Sequence, residues 1–250
     1  MGALHDGHLA LVAALGAKVD RVAVTIFVNP TQFAPGEDFG RYPRTFAADR
    51  ALLEAEGVDL LFAPSAEEMY PPGATTSVLV DELSDRLDGA SRPGHFRGVA
   101  TVVAKLFHIL GPDRAYFGQK DAAQVAVLRR MVRDLNFPLE LVVCPTVREP
   151  DGLAMSSRNR YLSPHDRADA RVLYQALEAG ARCESPEAAL AAAQAVLRAA
   201  GGAIRLDYLA AVHPDTLEPV TDFRSGALLA IAAWVGSTRL IDNILIGPRP

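Results

Sequence analysis

The chain has 250 residues, half of them hydrophobic and 22% charged, with a formal net charge of −5. That length holds one large domain or two modest ones with core enough to fold unstapled, and the mild acidity argues against a nucleic-acid groove built on bulk charge. Only Cys144 and Cys183 occur, both in apolar or helical contexts, no apolar run reaches transmembrane length and no signal-peptide pattern opens the chain, so a reduced, soluble cytoplasmic protein with no membrane or nucleic-acid partner is expected.

The chain opens Met1-Gly2-Ala3-Leu4-His5-Asp6-Gly7-His8, and residues 9–18 continue with helical apolar spacing and Gly16 near the end. A helix N-terminus presents unpaired N–H groups and the positive end of its dipole, which attract phosphate. Two imidazoles add hydrogen-bond donors, and Gly7 lets a ligand approach the backbone. The plain alternative is a pair of surface histidines at a helix start. A metal site is disfavoured, because no cysteine or carboxylate cluster lies nearby at ligand spacing.

Residues 21–28 read as a buried strand rich in β-branched residues. Residues 29–44 form a Pro/Gly-bearing loop that carries Asn29 and Gln32 just past the strand, suited to hydrogen bonding a small polar ligand, although taken alone a simple Asn-Pro turn is the better reading. Residues 45–56 are amphipathic, with Thr45 as N-cap and Gly57 as the stop. A short strand follows at residues 58–63.

Ser91-Arg92-Pro93-Gly94-His95-Phe96-Arg97-Gly98 precedes an apolar helix predicted over residues 98–110, and a structural role for it is as plausible as a place in a pocket. Strand-like residues 114–117 lead into Gly118-Gln119-Lys120-Asp121 and a helix over 122–136. There Lys120 could reach phosphate oxygens, with Gln124 one turn on, or Asp121 could simply cap the helix. Residues 139–144 close the series of strands.

Strands alternating with helices imply parallel β-α-β units, whose ligands sit at the C-terminal ends of the strands. Beyond residue 147 the character changes. Met155-Ser156-Ser157-Arg158 packs two hydroxyls and a guanidinium together, as a phosphate clamp or a polar linker would. Two surface helices (163–178, 186–200) and three strands without helices between them (203–212, 227–235, 239–246) then suggest a smaller α+β domain. The organisation expected is an α/β Rossmann-like domain over residues 1–146 and a C-terminal α+β domain over 147–250.

Five of these motifs, in this order, resemble the pantothenate synthetase (pantoate–β-alanine ligase) family of the nucleotidyltransferase superfamily. The opening resembles the superfamily's His-x-Gly-His signature, and Met155-Ser156-Ser157-Arg158 its mobile phosphate loop. The likeness runs to Arg239-Leu240-Ile241-Asp242-Asn243. It implies ATP-dependent condensation of pantoate with β-alanine through pantoyl adenylate, releasing AMP and pyrophosphate, with Mg²⁺ as cofactor, in a cytoplasmic homodimer whose C-terminal domain closes over the site.

By the same resemblance His5, His8, Lys120, Ser156, Ser157 and Arg158 are catalytic, with His8 as proton donor. ATP would be bound by Met1, Gly2, Ala3, Leu4, His5, Asp6, Gly7 and His8, by Gly118, Gln119, Lys120 and Asp121, by Val147, and by Met155 through Arg158. Pantoate would be held by Gln32, Gln124 and Asn29, and β-alanine by Gln32. Neutral amides suit that task, since they orient a carboxylate without blunting its nucleophilicity as an ion pair would. The segment 34–44 is the candidate lid that keeps water from the adenylate.

The chain departs from the family pattern in two places. Gln119 stands where Glu is frequent. The opening turn also belongs after a strand, so the sheet is expected to lack its first strand, through a partial chain or a misplaced start. Two other readings stay open: another small adenylyltransferase, and a catalytically impaired nucleotide-binding remnant.

Overall fold

The computed structural model describes residues 2–15, 19–202 and 204–249, so the expectations placed on Met1, Gly16, Lys18 and Ala203 fall outside the described residues. The chain divides into two compact units. The first comprises Met1–Gly118 and Val127–Cys144, the second Gln119–Ala126 and Pro145–Pro250.

In the first unit α1 (Asp6–Leu15) is followed by β1 (Ala23–Thr25), α2 (Phe46–Ala55) and β2 (Leu60–Phe62). Leu4, Val12, Val24 and Leu53 form their shared core, with Val22, Ile26, Val58 and Leu61 packed against it. β1 and β2 pair in parallel, Ala23 opposite Leu60 and Thr25 opposite Phe62. The strand expected over residues 21–28 is thus only three residues long, because a ladder can be no longer than its partner. One further bond, Ile26 N–H to Phe62 O at 2.9 Å, extends it before Asn29-Pro30 turns the chain away.

Two short helices, α3 (Ala66–Met69) and α4 (Asp88–Ser91), precede α5 (His95–Leu110). α5 starts three residues earlier than its apolar spacing predicts, since Gly94 takes the left-handed conformation (φ 82°) as N-cap. That puts His95 and Arg97 on its first turn rather than in a preceding loop. β3 (Arg114–Gly118) and β4 (Glu140–Cys144) pair in parallel over five positions, with α6 (Ala122–Asp134) between them in sequence. The expected parallel strands are therefore present as two pairs, β1–β2 and β3–β4, with no ladder between the pairs among the described residues.

The second unit is helices on an antiparallel sheet. α7 (Pro164–Ala181) and α8 (Pro186–Ala199) pack on β5 (Ile204–Val212), β6 (Ala227–Val235) and β7 (Thr238–Ile246), in the order β5-β6-β7. β6 is the central strand and is almost continuously buried, which explains its unbroken apolar run. Both helices begin as their sequences predict. Ser163 and Asp166 form a reciprocal capping box, and Ser185 accepts from Ala188 N–H. Among the described residues, no helix is long and apolar enough to cross a membrane.

Candidate active site

The opening turn of the first unit is held by a carboxylate that the sequence does not advertise. Asp49, on α2 and 2% exposed, accepts Ala3 N–H at 2.9 Å on one oxygen and Leu4 N–H at 2.9 Å on the other. Thr45 hydroxyl donates to the same group at 2.9 Å, so Thr45 braces Asp49 rather than capping its own helix. Ala3 is left-handed (φ 49°), a conformation that costs an alanine energy and persists only where neighbours impose it. Gly2, Ala3 and Leu4 are buried, and His5, Gly7 and His8 are partly so.

The imidazole geometry fixes a tautomer. His5 N–H donates to His8 Nδ1 at 3.3 Å, so a neutral His8 carries its proton on Nε2. The two rings lie 4.0 Å apart between centroids, tilted by 39°. His8 N–H and Leu9 N–H both donate to His5 O, at 2.7 and 3.1 Å, which closes the turn into α1.

A second cluster of this unit gathers at the end of β1. Asn29 is 2% exposed and its amide is fully engaged. Its Nδ2 donates to Gln32 Oε1 (3.2 Å) and Gly98 O (3.1 Å), and its Oδ1 accepts from Tyr70 hydroxyl (2.8 Å) and from Thr31. Burial pushes the Tyr70 phenol up, so it stays protonated as that donor. Asn29 is a supporting residue here, and Gln32 is the amide it orients.

Gln32 is gripped from behind as well. Its backbone carbonyl accepts from His95 Nδ1 at 2.8 Å and from Arg92 at 3.3 Å. A carbonyl only accepts, so His95 is protonated on Nδ1, and its Nε2 lone pair faces Arg92 at 3.1 Å. Arg92 also forms a two-pronged pair with Glu37, at 2.7 and 2.6 Å, which anchors the 34–44 segment to the α5 end of the unit. Burial works to raise Glu37, but its hydrogen bonds to Arg92 and the Arg92 charge outweigh that and leave it below the usual carboxylate range.

Burial, reinforced by the Arg92 guanidinium, pulls His95 from its ordinary 6.5 down to about 4. The folded value lies below the unfolded one, so the unfolded chain holds the extra proton between those pH values. Stability from this group is complete above pH 6.5 and is lost as pH falls toward 4. At pH 4.5 the loss amounts to roughly 2.5 kcal/mol. Urea unfolding at pH 7 and pH 4.5 should therefore show the parent losing about that much more than His95→Gln. Parallel losses in the two proteins would refute the assignment.

The second unit carries the other expected residues. Gln119–Asp121 is a 3-10 turn that leads directly into α6, where Gln124 lies in the first turn. Lys120 is largely buried and its ammonium lies 3.4 Å from Asp121. Asn243 on β7 donates to both Gln119 O and Lys120 O at 3.0 Å and accepts from the Gln119 amide at 3.1 Å. Next to it, Asp242 takes a bidentate pair from Arg148 at 2.6 and 2.9 Å, and that guanidinium lies 3.7 Å over the Tyr174 ring.

Val147 and the Ser-Ser-Arg segment belong to one knot. Val147 O accepts Met155 N–H at 3.0 Å. Ser156 caps the 3-10 turn Ser157–Tyr161 by accepting Arg158 N–H at 3.2 Å, a bond that uses the oxygen and not the hydroxyl proton. Asn159, nearly buried, donates to Glu149 (2.8 Å) and Ala154 O (3.0 Å). Glu149 is in turn paired with Arg167, which holds its carboxyl below the usual range. The turn that offers Ser156, Ser157 and Arg158 thus stands on a braced base.

Each unit brings its own residues together: His5, His8 and the Asn29–Gln32 amides in separate clusters of the first, and Gln119 and Lys120 on Asn243, with Asp121 beside the Lys120 ammonium, in the second. Elsewhere His165, Asp166 and Asp169 bring ligand atoms within 4.8 Å of one another, though Asp166 there serves the α7 cap. Sequence reasoning missed Asp49, Arg148 and the role of Asn243. For Asp49 the only available sign was a Thr45–Asp49 pair at helical spacing.

Comparison with known proteins agrees along the whole chain. The family model described as pantoate-beta-alanine ligase matches residues 1–245. The pantothenate synthetase of Acidobacterium capsulatum is 66% identical over 254 residues, covering 100% of this chain and 85% of that protein. The crystal structure of pantothenate synthetase from Thermus thermophilus superposes with a TM-score of 0.96 at 55% identity, over 99% of this chain and 91% of that one. A pantoate-beta-alanine ligase from Francisella tularensis, complexed with beta-gamma ATP and beta-alanine, gives a TM-score of 0.81 at 35% identity, over 98% and 87%.

Proposed function

The chain belongs to the pantoate–β-alanine ligase family, and from that premise we propose how its residues carry the family reaction. The reaction is the ATP-dependent condensation of pantoate with β-alanine to pantothenate. In the first step a pantoate carboxylate oxygen attacks the α-phosphorus of ATP, and the bond to the bridging oxygen breaks to release pyrophosphate. In the second the β-alanine amine attacks the acyl carbon of pantoyl adenylate, loses a proton, and AMP departs.

Negative charge builds on the α-phosphate and the leaving pyrophosphate in the first step, so fixed donors are the main requirement. His5, His8, Lys120, Ser156, Ser157 and Arg158 are the donors we assign to the triphosphate. The observation that carries this assignment is the His8 tautomer: with Nδ1 accepting from the chain, Nε2–H is the donating edge. Gly2, Ala3, Leu4, Asp6, Gly7, Gly118, Gln119, Asp121, Val147 and Met155 complete the nucleotide set. These groups are mostly hydrogen-bond donors and backbone, suited to phosphate oxygens rather than to a cation, so Mg²⁺ enters with ATP as part of the substrate.

Pantoate is held by Gln32 and Gln124, with Asn29 orienting Gln32 through its 3.2 Å bond, and Gln32 also meets β-alanine. We assign pantoate binding and the nucleotide groups from Gly2 to Asp121 to residues 1–146, and place the nucleotide groups Val147 and Met155 through Arg158 in the smaller C-terminal domain, 147–250. A homodimer in the cytoplasm is the proposed setting: the homodimer follows the family resemblance, and the free thiols Cys144 and Cys183 suit a reducing compartment.

Pantoate-dependent exchange of labelled pyrophosphate into ATP tests the reading on the purified chain. Exchange is expected with pantoate and without β-alanine, and pantothenate once β-alanine is added. ATP binding with no exchange would instead mark a nucleotide-binding remnant, and exchange with no dependence on pantoate another adenylyltransferase.

A further inference from the structure

We infer that Asn243 is a positioning residue for the nucleotide, holding the Gln119–Lys120 backbone so that the Lys120 ammonium meets the triphosphate. The inference rests on the assignment of Lys120 to ATP made above. Asn243 is 5% exposed and lies inside the β6–β7 ladder, opposite Ala230. Its amide is saturated on both sides, by two carbonyls of consecutive residues and by the Gln119 side chain.

The orientation of that amide follows from chemistry alone. Carbonyl oxygens only accept, so the NH₂ must face Gln119 O and Lys120 O. The Asn243 oxygen therefore faces the Gln119 side chain, which must donate. An amide at position 119 meets that demand, whereas an ionised carboxylate there would set oxygen against oxygen. Both carbonyls of the turn are thereby clamped, and the two peptide planes that set the direction of the Lys120 side chain cannot rotate.

β7 is itself kept from sliding. Asp242, the preceding residue, takes both prongs of Arg148, and Asn243 N–H closes onto Asp242 at 2.7 Å. Arg148 also reaches Asn243 O at 3.4 Å. The last strand of the chain is thus a fixed rail, and its Asn243 end carries the phosphate turn of the same unit. A positioning residue of this kind acts on ATP affinity without touching ATP.

Three variants test this: Asn243→Asp, which sets a carboxylate against two carbonyls, Asn243→Ala, and Asn243→Ser, whose hydroxyl can still donate to one carbonyl. The readouts are the Kd for ATP by titration without pantoate, the KM for pantoate, and the thermal midpoint. The ATP Kd should rise at least tenfold in Asp and Ala and by less in Ser, while the pantoate KM stays within twofold. A folded Ala or Ser variant with parental ATP affinity overturns the inference, as does an equal rise in both constants. If Asp and Ala fail to fold, the Ser variant decides on the same readouts. A parent chain that binds ATP but performs no pantoate-dependent exchange overturns only the reading of the reaction, and one that binds no ATP overturns both.

Discussion

Asp49→Ala is expected to lower the unfolding free energy by roughly 3–5 kcal/mol and to abolish pantoate-dependent pyrophosphate exchange. The carboxylate satisfies two buried backbone donors, those of Ala3 and Leu4, with one oxygen each. Deleting it strands both, and each unsatisfied buried donor costs about 1–3 kcal/mol. That is a large fraction of the roughly 5–15 kcal/mol by which a domain is stable. The functional loss is larger still, because the same two bonds impose the left-handed Ala3 that delivers His5 and His8 to their places. Asn at position 49 separates the two effects. Its oxygen accepts one N–H while its NH₂ opposes the other, so stability should be intermediate and exchange severely reduced in a protein that remains folded. Urea unfolding and exchange measured on both variants check this. A folded Asp49→Asn with parental exchange would show that the carboxylate is mere packing.

Asp49 also marks where the sequence stops being readable. The amphipathic spacing of residues 45–56 predicts α2 correctly, and on that helix Asp49 resembles any solvated carboxylate. Its partners lie 46 and 45 positions away, and a hydrogen bond to a distant backbone N–H leaves no period in the chain. The local rule makes Thr45 the cap of α2, yet its hydroxyl goes to Asp49, the carboxylate that holds Ala3 and Leu4, so a local rule yields to the needs of a tertiary contact. Elements whose signal is local to the chain were legible: the buried run of β6, the helices α7 and α8, and β3 before the Gln119–Asp121 turn. The reading of residues 21–28 overestimates β1, since apolar β-branched residues continue to Val28 although the paired strand ends at Thr25 with one further bond from Ile26. The residues proposed for the site stand in motifs that the sequence shows, whereas the groups that hold them leave no such sign. Asn243 lies in the C-terminal motif, but nothing in the spacing shows that its amide meets residues 119 and 120.

Gly98→Ala is the substitution that should most sharply divorce function from stability. A Cβ at Gly98 would lie 2.3 Å from Thr31 O, 2.5 Å from Thr31 C and 2.7 Å from Gln32 N. All three are backbone atoms, so no side chain can swing aside to make room, and α5 and the 30–32 turn must part by about 1 Å to reach ordinary contact. That movement also stretches the bond from Asn29 Nδ2 to Gly98 O, which with the His95 bond to Gln32 O ties the amide cluster to α5. Overpacking costs about 1–3 kcal/mol, but alanine in place of glycine in a helix returns about 1 kcal/mol, so the net stability loss is modest. Misplacing a substrate-orienting group by about 1 Å costs on the order of 10²-fold in rate. Gly98→Ala should therefore lose about two orders of magnitude in kcat/KM for pantoate while its ATP Kd stays within twofold and its thermal midpoint falls by only a few degrees. Steady-state kinetics with each substrate varied in turn, beside a thermal melt, measure all three. A pantoate kcat/KM within twofold of the parent would mean that Gln32 does not depend on α5, and the pantoate assignment of Gln32 would lose its structural support.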